Sequence, residues 1–210
     1  TIPKAGIGAI ATQLGDQLKT TEIQLNNKVQ KLTNDVITIA SGDERPYDVC
    51  IVAAEPSTFL EGYVATNTWK KCDTLYFIVP HTDIKSPLIH LSALSDSLIN
   101  NIFYPTSVQP SPDPHYDLVS VTVVKQHSLS SEVLVCQVQG ELEKYFSIKK
   151  SKFIKHYILP KALPELKSVS YEPNLDLMKY RDKIWLCGDY TSNGSLNAAM
   201  LSGERAAECA

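Results

Sequence analysis

The run Lys183-Ile184-Trp185-Leu186-Cys187-Gly188-Asp189-Tyr190-Thr191-Ser192-Asn193-Gly194-Ser195, continuing from Leu196 to Cys209, decides how the chain is read. Lys183 to Cys187 is a short apolar run of the kind that makes a buried strand, Gly188 to Gly194 is a polar turn bounded by glycines, and Ser195 to Cys209 has helical spacing. A strand, a tight turn and a helix in that order commonly hold phosphates and cofactors. Gly188 allows close backbone approach to a ligand, and Asp189, at the carboxyl end of the strand, can accept hydrogen bonds from ligand hydroxyls. A second role stays open: Asp189 could instead cap the helix. That helix is lined by small residues, Ala198, Ala199, Ser202, Gly203, Ala206 and Ala207, which permit close packing. Its first-turn N–H groups face whatever electronegative atom lies at the turn.

Outward from this unit the pattern changes twice. Upstream, Ile10, Leu14 and Leu18 recur every four residues, predicting a helix from Gly8 to near Lys19. Glu22–Leu25 and Val36–Ala40 have strand character, Ser41–Pro46 reads as a turn, and Tyr47–Ala54 as a strand buried on both faces. From Pro56 the strands alternate and are separated by Pro, Ser and Asn: Leu75–Val79, Leu88–Ala93, Asn101–Ser107 and Leu118–Lys125 predict an antiparallel sheet. A helix over Ser130–Phe146 packs on it, capped by Ser130 or Ser131. The expected fold class is therefore α/β plus α+β, an α/β layer of residues 1–57 and 161–210 with an antiparallel-sheet lobe, 58–160, inserted between them.

The 210 residues are 43% hydrophobic, enough for one core and marginal for two. With 20 basic against 23 acidic residues and a net charge of −3, nucleic acid is not an expected partner. The longest uninterrupted apolar stretch, Val49–Ala54, is far short of the roughly 20 residues that span a bilayer. Thr1-Ile2-Pro3-Lys4 has neither the charged start nor the apolar stretch of a signal or transit peptide. Five cysteines without C-x-x-C spacing indicate neither a disulfide framework nor a zinc ribbon. The expectation is a reduced compartment, the cytoplasm or a plastid stroma, and no secretion.

The stretch Ile184–Tyr190 with Gly194–Ala207 resembles the last FAD-binding motif of the flavin-containing amine oxidase and phytoene desaturase-like superfamily. Pro3–Ile10 with Leu25–Val29 is similar to that family's mid-chain motif, and Asp48–Ala54 to the strand that follows it. Ile99–Val108 and Leu118–Val121 resemble the substrate domain of cyanobacterial and plastid-type members. The resemblance implies FAD as cofactor and a Rossmann-like FAD layer. It also implies hydride transfer to the flavin from a hydrophobic amine, polyene or related small molecule bound by the inserted lobe. Carried over by position, the cofactor-binding residues are Val29, holding adenine through its backbone, and Gly188, Asp189, Gly194, Ser195, Leu196, Asn197 and Ala198 around the flavin. Ala5 and Ala198 stand where members commonly carry glycine. No side chain is assigned as a catalytic acid or base, because in such chemistry the isoalloxazine reacts and the protein positions it.

The family's opening strand, G-x-G-x-x-G turn and ribose-binding acid are not found here. Gly6-Ile7-Gly8-Ala9-Ile10-Ala11 fits the pattern literally, without the preceding strand or the following acid, and is expected to open a helix. The sequence thus reads as the C-terminal half of a flavoprotein, expected to retain FAD poorly by itself, to lack turnover, and to self-associate through the face that the other half would cover. A module of the same fold that binds an apolar ligand or a protein without flavin is the alternative. Asn193 and Asn197 stand two residues before and after Ser195, where a G-x-S-x-G elbow needs glycines. His81, His90, His115, His127 and His156 show no metal-ligand spacing and are expected at the surface or in hydrogen bonds. Cys187 is expected as a buried strand thiol, with covalent flavin attachment the alternative. Phe103, Tyr104, Tyr145, Phe146 and Tyr157 line either the core or a substrate cavity. Lys149-Lys150-Ser151-Lys152 is a solvated loop, or a peripheral contact to an anionic membrane.

Overall fold

The computed structural model describes residues 3–65, 68–82 and 87–210. Thr1 and Ile2 of the opening segment, and a few positions of the expected inserted lobe, lie outside the described residues. In chain order the first elements are α1 (Gly8–Gln17), β1 (Val29–Leu32), β2 (Val36–Ile39), β3 (Glu44–Pro46), β4 (Cys50–Val52) and β5 (Thr68–Pro80). There follow β6 (His90–Leu91), β7 (Ile99–Phe103), β8 (Tyr116–Val123), α2 (Ser131–Phe146) and β9 (Lys152–Glu165). The chain closes with α3 (Leu175–Met178), β10 (Lys179–Arg181), β11 (Ile184–Leu186) and α4 (Leu196–Cys209). The fold is mixed α/β with antiparallel sheets, and the chain divides into two compact units, Thr1–Thr20 with Lys70–Ala162 and Thr21–Trp69 with Leu163–Ala210.

The first unit is built on a five-stranded sheet in the order β6-β7-β8-β5-β9. β5 and β8 pair antiparallel from Asp73↔Val123 to Pro80↔Tyr116. Strand side chains alternate faces, and so Leu75, Phe77 and Val79 of β5 fall on one side with Val119, Val121 and Val123 of β8, all buried. α2 presents Leu134, Val138 and Leu142, four residues apart, to the same core. Ser130 caps α2 by accepting the Val133 N–H at 3.4 Å. Near the other end of the helix, the Glu141 carboxylate accepts from the Leu98 N–H (2.9 Å), the Ile99 N–H (3.1 Å) and the Ser97 hydroxyl (2.6 Å), so one side chain satisfies the start of β7. A second buried polar group joins β5, the segment before α2, α2 itself and β9. Asp73 accepts from His156 Nε2 at 2.8 Å and from His127 Nε2 at 3.2 Å, and Ser131 Oγ lies 2.8 Å from His156 Nδ1.

In the second unit β1-β2-β3 form an antiparallel sheet, with Val29 opposite Ile39 and Val36 opposite Pro46. A second sheet has the order β10-β11-β4, in which β11 runs parallel to β4 with Ile184↔Cys50, Trp185↔Ile51 and Leu186↔Val52. Ile184 and Leu186 pack with Leu32, Val52 and Leu60, while Trp185 and Cys187 pack with Met178 and Ala206. β11 is therefore buried on both faces.

Several sequence expectations are corrected. Glu22–Leu25 is not a strand: Leu25 is 77% exposed, and the partner of β2 is β1, whose Leu32 is buried against Leu60. The stretch 47–54 contributes only Cys50–Val52, with Ile51 39% exposed, and part of the expected turn pairs as β3. The apolar stripe of α1 is not packed, for none of its residues is buried. Residues 1–20 group with the sheet unit rather than with β1–β4. The long strand β9 had no counterpart in the sequence reading, because Lys152–Glu165 lacks alternation and contains Pro160. An edge strand tolerates such a proline.

Glu141→Ala should lower stability by about 3 kcal/mol, since two amide N–H groups and a hydroxyl lose their acceptor. Urea unfolding should show a lower midpoint with unchanged slope.

Candidate functional site

The last ladder bond of β11 is Cys187 N–H to Val52 C=O at 3.0 Å, and the chain turns immediately after it. Gly188 adopts φ +153°, ψ 170°, a region almost closed to other residues, and a Cβ there would lie 2.6 Å from the Tyr190 ring. Its N–H donates to Ser202 Oγ of α4 at 2.8 Å, and Ser202 in turn donates to the Ala199 carbonyl. Ser202 was legible only as one small residue among several, yet it ties the turn to the helix. Asp189–Thr191 makes a single 3-10 turn, closed when the Asp189 carbonyl accepts from Ser192 N–H (3.3 Å) and Gly194 N–H (3.0 Å). Gly194 takes φ +64°, where a Cβ would press on Leu163 at 3.0 Å.

Ser195, not Asp189, caps α4, accepting the Ala198 N–H at 3.1 Å while donating to Asn193 Oδ1 at 2.6 Å. The capping role left open for Asp189 is therefore overturned. Leu196 and Asn197 follow as the first residues of the helix, whose first-turn N–H groups have no intrahelical acceptor. Ala198 is buried in line with Ser202 and Ala206, so its methyl belongs to the packed stripe of α4. Gly188, Asp189, Gly194, Ser195, Leu196, Asn197 and Ala198 thus share one turn and helix start. Val29 begins β1 in the other sheet of the same unit, half-buried opposite Ile39. Cys187 is buried beside Met178, Trp185 and Ala206, and burial pushes its thiol pKa up, which fits a structural thiol rather than a covalent anchor. Gly6 takes φ +83° in the turn that opens α1, as expected.

Burial shapes the electrostatics of the turn. It pushes the Asp189 carboxyl up, opposed by the N–H groups of Tyr190 and of Asp189 itself. It pushes the Tyr190 hydroxyl up more strongly, helped by nearby Tyr63 and Cys187. The Tyr190 ring meets Trp69 edge-on at 6.4 Å. Among the described residues, the buried Ser192 Oγ and Tyr190 Oη have no hydrogen-bond partner. A cleft of about 810 Å³ opens on Tyr190, Thr191 and Ser192, with Thr68, Glu165 and Asn174 on its walls. Unsatisfied buried donors beside a cleft, a glycine in a restricted conformation and the positive end of a helix suit a polar, hydroxyl-bearing ligand with an electron-rich edge. A flavin and its ribityl chain have that character. Among the described residues no group of three or more His, Cys, Asp or Glu could hold a metal ion, and no helix is long and apolar enough to cross a membrane.

A strand, a glycine-bounded turn and a helix in this order form a recurrent cofactor-binding arrangement. The chain belongs to the flavin-containing amine oxidoreductase family, whose profile matches residues 1–210. Among curated proteins, none matches the sequence significantly. Among solved structures, it is similar to a protein of Exiguobacterium sp. 255-15 provisionally called a protoporphyrinogen oxidase (15% identity, TM-score 0.74, 98% of this chain and 51% of that one). It is also similar to an oxidoreductase of Methanosarcina mazei (12%, TM-score 0.74, 99% and 55%) and to reduced UDP-galactopyranose mutase (13%, TM-score 0.69, 94% and 50%). The chain spans about half the length of these structures, and at such identities the likeness is one of fold.

Ser202→Ala should cost about 1–3 kcal/mol by leaving the Gly188 N–H without its acceptor, measured as a lowered urea midpoint. Asp189 supplies a pH dependence. An acid whose pKa is raised in the folded state holds its proton more tightly there than in the unfolded chain, so stability falls as pH rises from the ordinary carboxylate range, about 4, through the raised value. Asp189→Asn should remove that fall, its urea midpoint gaining on the wild type between about pH 4 and neutrality.

Proposed function

We propose that this chain supplies the flavin-facing turn and the substrate lobe of a FAD-dependent oxidoreductase that takes hydride from a hydrophobic amine, polyene or related molecule, as in the cyanobacterial and plastid-type members it resembles. The observation that carries this is the family match over residues 1–210 combined with the Gly188–Ala198 turn, whose buried Ser192 hydroxyl lacks a partner among the described residues. In this reading residues 21–69 and 163–210 belong to a Rossmann-like FAD layer, and 70–162 to the substrate lobe. The flavin, when bound, accepts the hydride. Asp189 accepts a hydrogen bond from a ribityl hydroxyl, Gly188 lets the backbone close on the ligand, and Leu196 and Asn197 turn helix-start N–H groups toward its electron-rich edge. Ser195 holds that helix start in place. Gly194 sets the turn's return, Ala198 packs α4 beneath it, and Val29 holds adenine through its backbone. The rings of Tyr190 and Trp69 exclude water from one side of the turn.

The resembled fold places the FAD pyrophosphate on a glycine turn and helix start that no segment of this sequence supplies. Losing several charge-assisted hydrogen bonds, each worth about 1.5–3 kcal/mol, moves a micromolar site toward the millimolar range. Titration of the purified chain with FAD by calorimetry should therefore give a millimolar dissociation constant, and light scattering should give a mass above that of a monomer. Sub-micromolar binding to a monomer would refute the division of the site. In a longer protein carrying both parts, Asp189→Ala should reduce FAD affinity about ten- to a hundredfold. A second reading, an apolar-ligand or protein-binding module without flavin, is favoured by the exposed Tyr157, Ile158 and Leu159 of β9. It requires the longer protein to purify without the flavin band near 450 nm that general flavin chemistry supplies.

A further inference from the structure

The buried group formed by Asp73, His127, His156 and Ser131 in the sheet unit has no part in the flavin reading. The directions of its hydrogen bonds can be assigned. The Leu129 N–H can only donate, so His127 Nδ1, 3.3 Å away, carries a lone pair, and the His127 proton sits on Nε2, directed at Asp73 Oδ2. The carboxylate's other oxygen accepts from His156 Nε2–H at 2.8 Å. In its neutral form His156 then carries its lone pair on Nδ1, 2.8 Å from the Ser131 hydroxyl, which donates into it.

We infer that Ser131 is a nucleophile, with His156 as its general base and Asp73 orienting that base from behind, in a second, hydrolytic site for small carboxylic esters. This is the arrangement general-base activation of a hydroxyl needs: nucleophile and base in contact, the base fixed by a third group. His127 is a positioning residue that fixes the free oxygen of Asp73. The relay is dry at its base, the side chains of Asp73, His156 and His127 being 5%, 7% and 11% exposed. It surfaces at its reacting end, where half-buried Ser131 lies between exposed Ser130 and Glu132. Stability does not explain it, because well-packed apolar side chains usually serve a core as well as a buried charged cluster. Ser131 is also the first residue of α2. Ser130 satisfies the Val133 and Leu134 N–H groups through its hydroxyl and carbonyl, and Ser131 stands at the positive end of the helix dipole. The Glu132 carboxylate now folds back onto its own N–H there, which lowers its pKa.

In the reaction Ser131 Oγ forms a bond to the ester carbonyl carbon. Its proton passes to His156 Nδ1 and from there to the departing alkoxide, which leaves as the alcohol. Water then attacks acyl-Ser131 by the same proton route, releasing the carboxylic acid and restoring the hydroxyl.

The test treats the full chain with a fluorophosphonate probe, maps the adduct by mass spectrometry, and follows p-nitrophenyl acetate hydrolysis in parallel. Neither readout depends on flavin. The expected result is one phosphonyl group on Ser131, absent in Ser131→Ala and retained in the exposed-loop control Ser128→Ala. Labelling should slow by about a hundredfold in His156→Asn and quicken in Glu132→Gln, which removes the competing charge. An unlabelled Ser131, beside a serine esterase fully labelled in the same tube, overturns the proposal, as does wild-type labelling in a folded His156→Asn. If circular dichroism shows that variant unfolded, the wild type and Ser131→Ala decide alone.

Discussion

The parallel pairing of Cys50–Val52 with Ile184–Leu186 is the constraint on which the second unit depends. It joins segments about 135 positions apart, closed at one end by Cys50 N–H to the Lys183 carbonyl and at the other by Cys187 N–H to the Val52 carbonyl. Because strand side chains alternate, that single register sends Ile184 and Leu186 into one core and Trp185 and Cys187 into the other. Gly188 follows the final ladder bond directly, so the position of the turn is set by the sheet rather than by the loop. The serine at 202 then carries the constraint across to α4.

Elements whose partners are close in sequence, or whose pattern is strong, were legible. α2 was legible through Ser130 and the spacing of Val133, Val138, Leu142 and Tyr145, although Leu134 takes the buried place and Val133 is 45% exposed, and β8 through the alternation from Val119 to Val123. β11 and its turn were legible because a short apolar run meeting Gly-Asp has few other uses. Glu22–Leu25 was mistaken for a strand because it carries about the same alternation as Val29–Leu32. Nothing local favours one over the other, and the choice falls to Leu60, which gives Leu32 a buried place.

The site followed the same rule. The residues of the turn were legible as a group because they are contiguous, whereas the role of Ser202, 14 residues on from Gly188, depends on a helix folding back. The Asp73 cluster was invisible for the same reason: its bonds span 54 and 83 residues, and spacing rules for histidines look only a few positions away.

The sheet unit is an almost continuous insertion, residues 70–162, within the other unit, and its first and last strands, β5 and β9, are neighbours. That topology imposes an order on biosynthesis. The insertion can collapse as soon as it emerges, and its paired strands shorten the effective loop that must close before β4 meets β11. Until then β4 has no parallel partner, and Val52 and Leu60 stay uncovered while the rest of the chain is made. At about 5–20 residues per second this lasts roughly 6–25 s. During that interval the nascent chain presents an unpaired strand and an open apolar face to its surroundings, so the time spent waiting for Ile184–Leu186, more than the final stability, sets its exposure to chaperones and to aggregation.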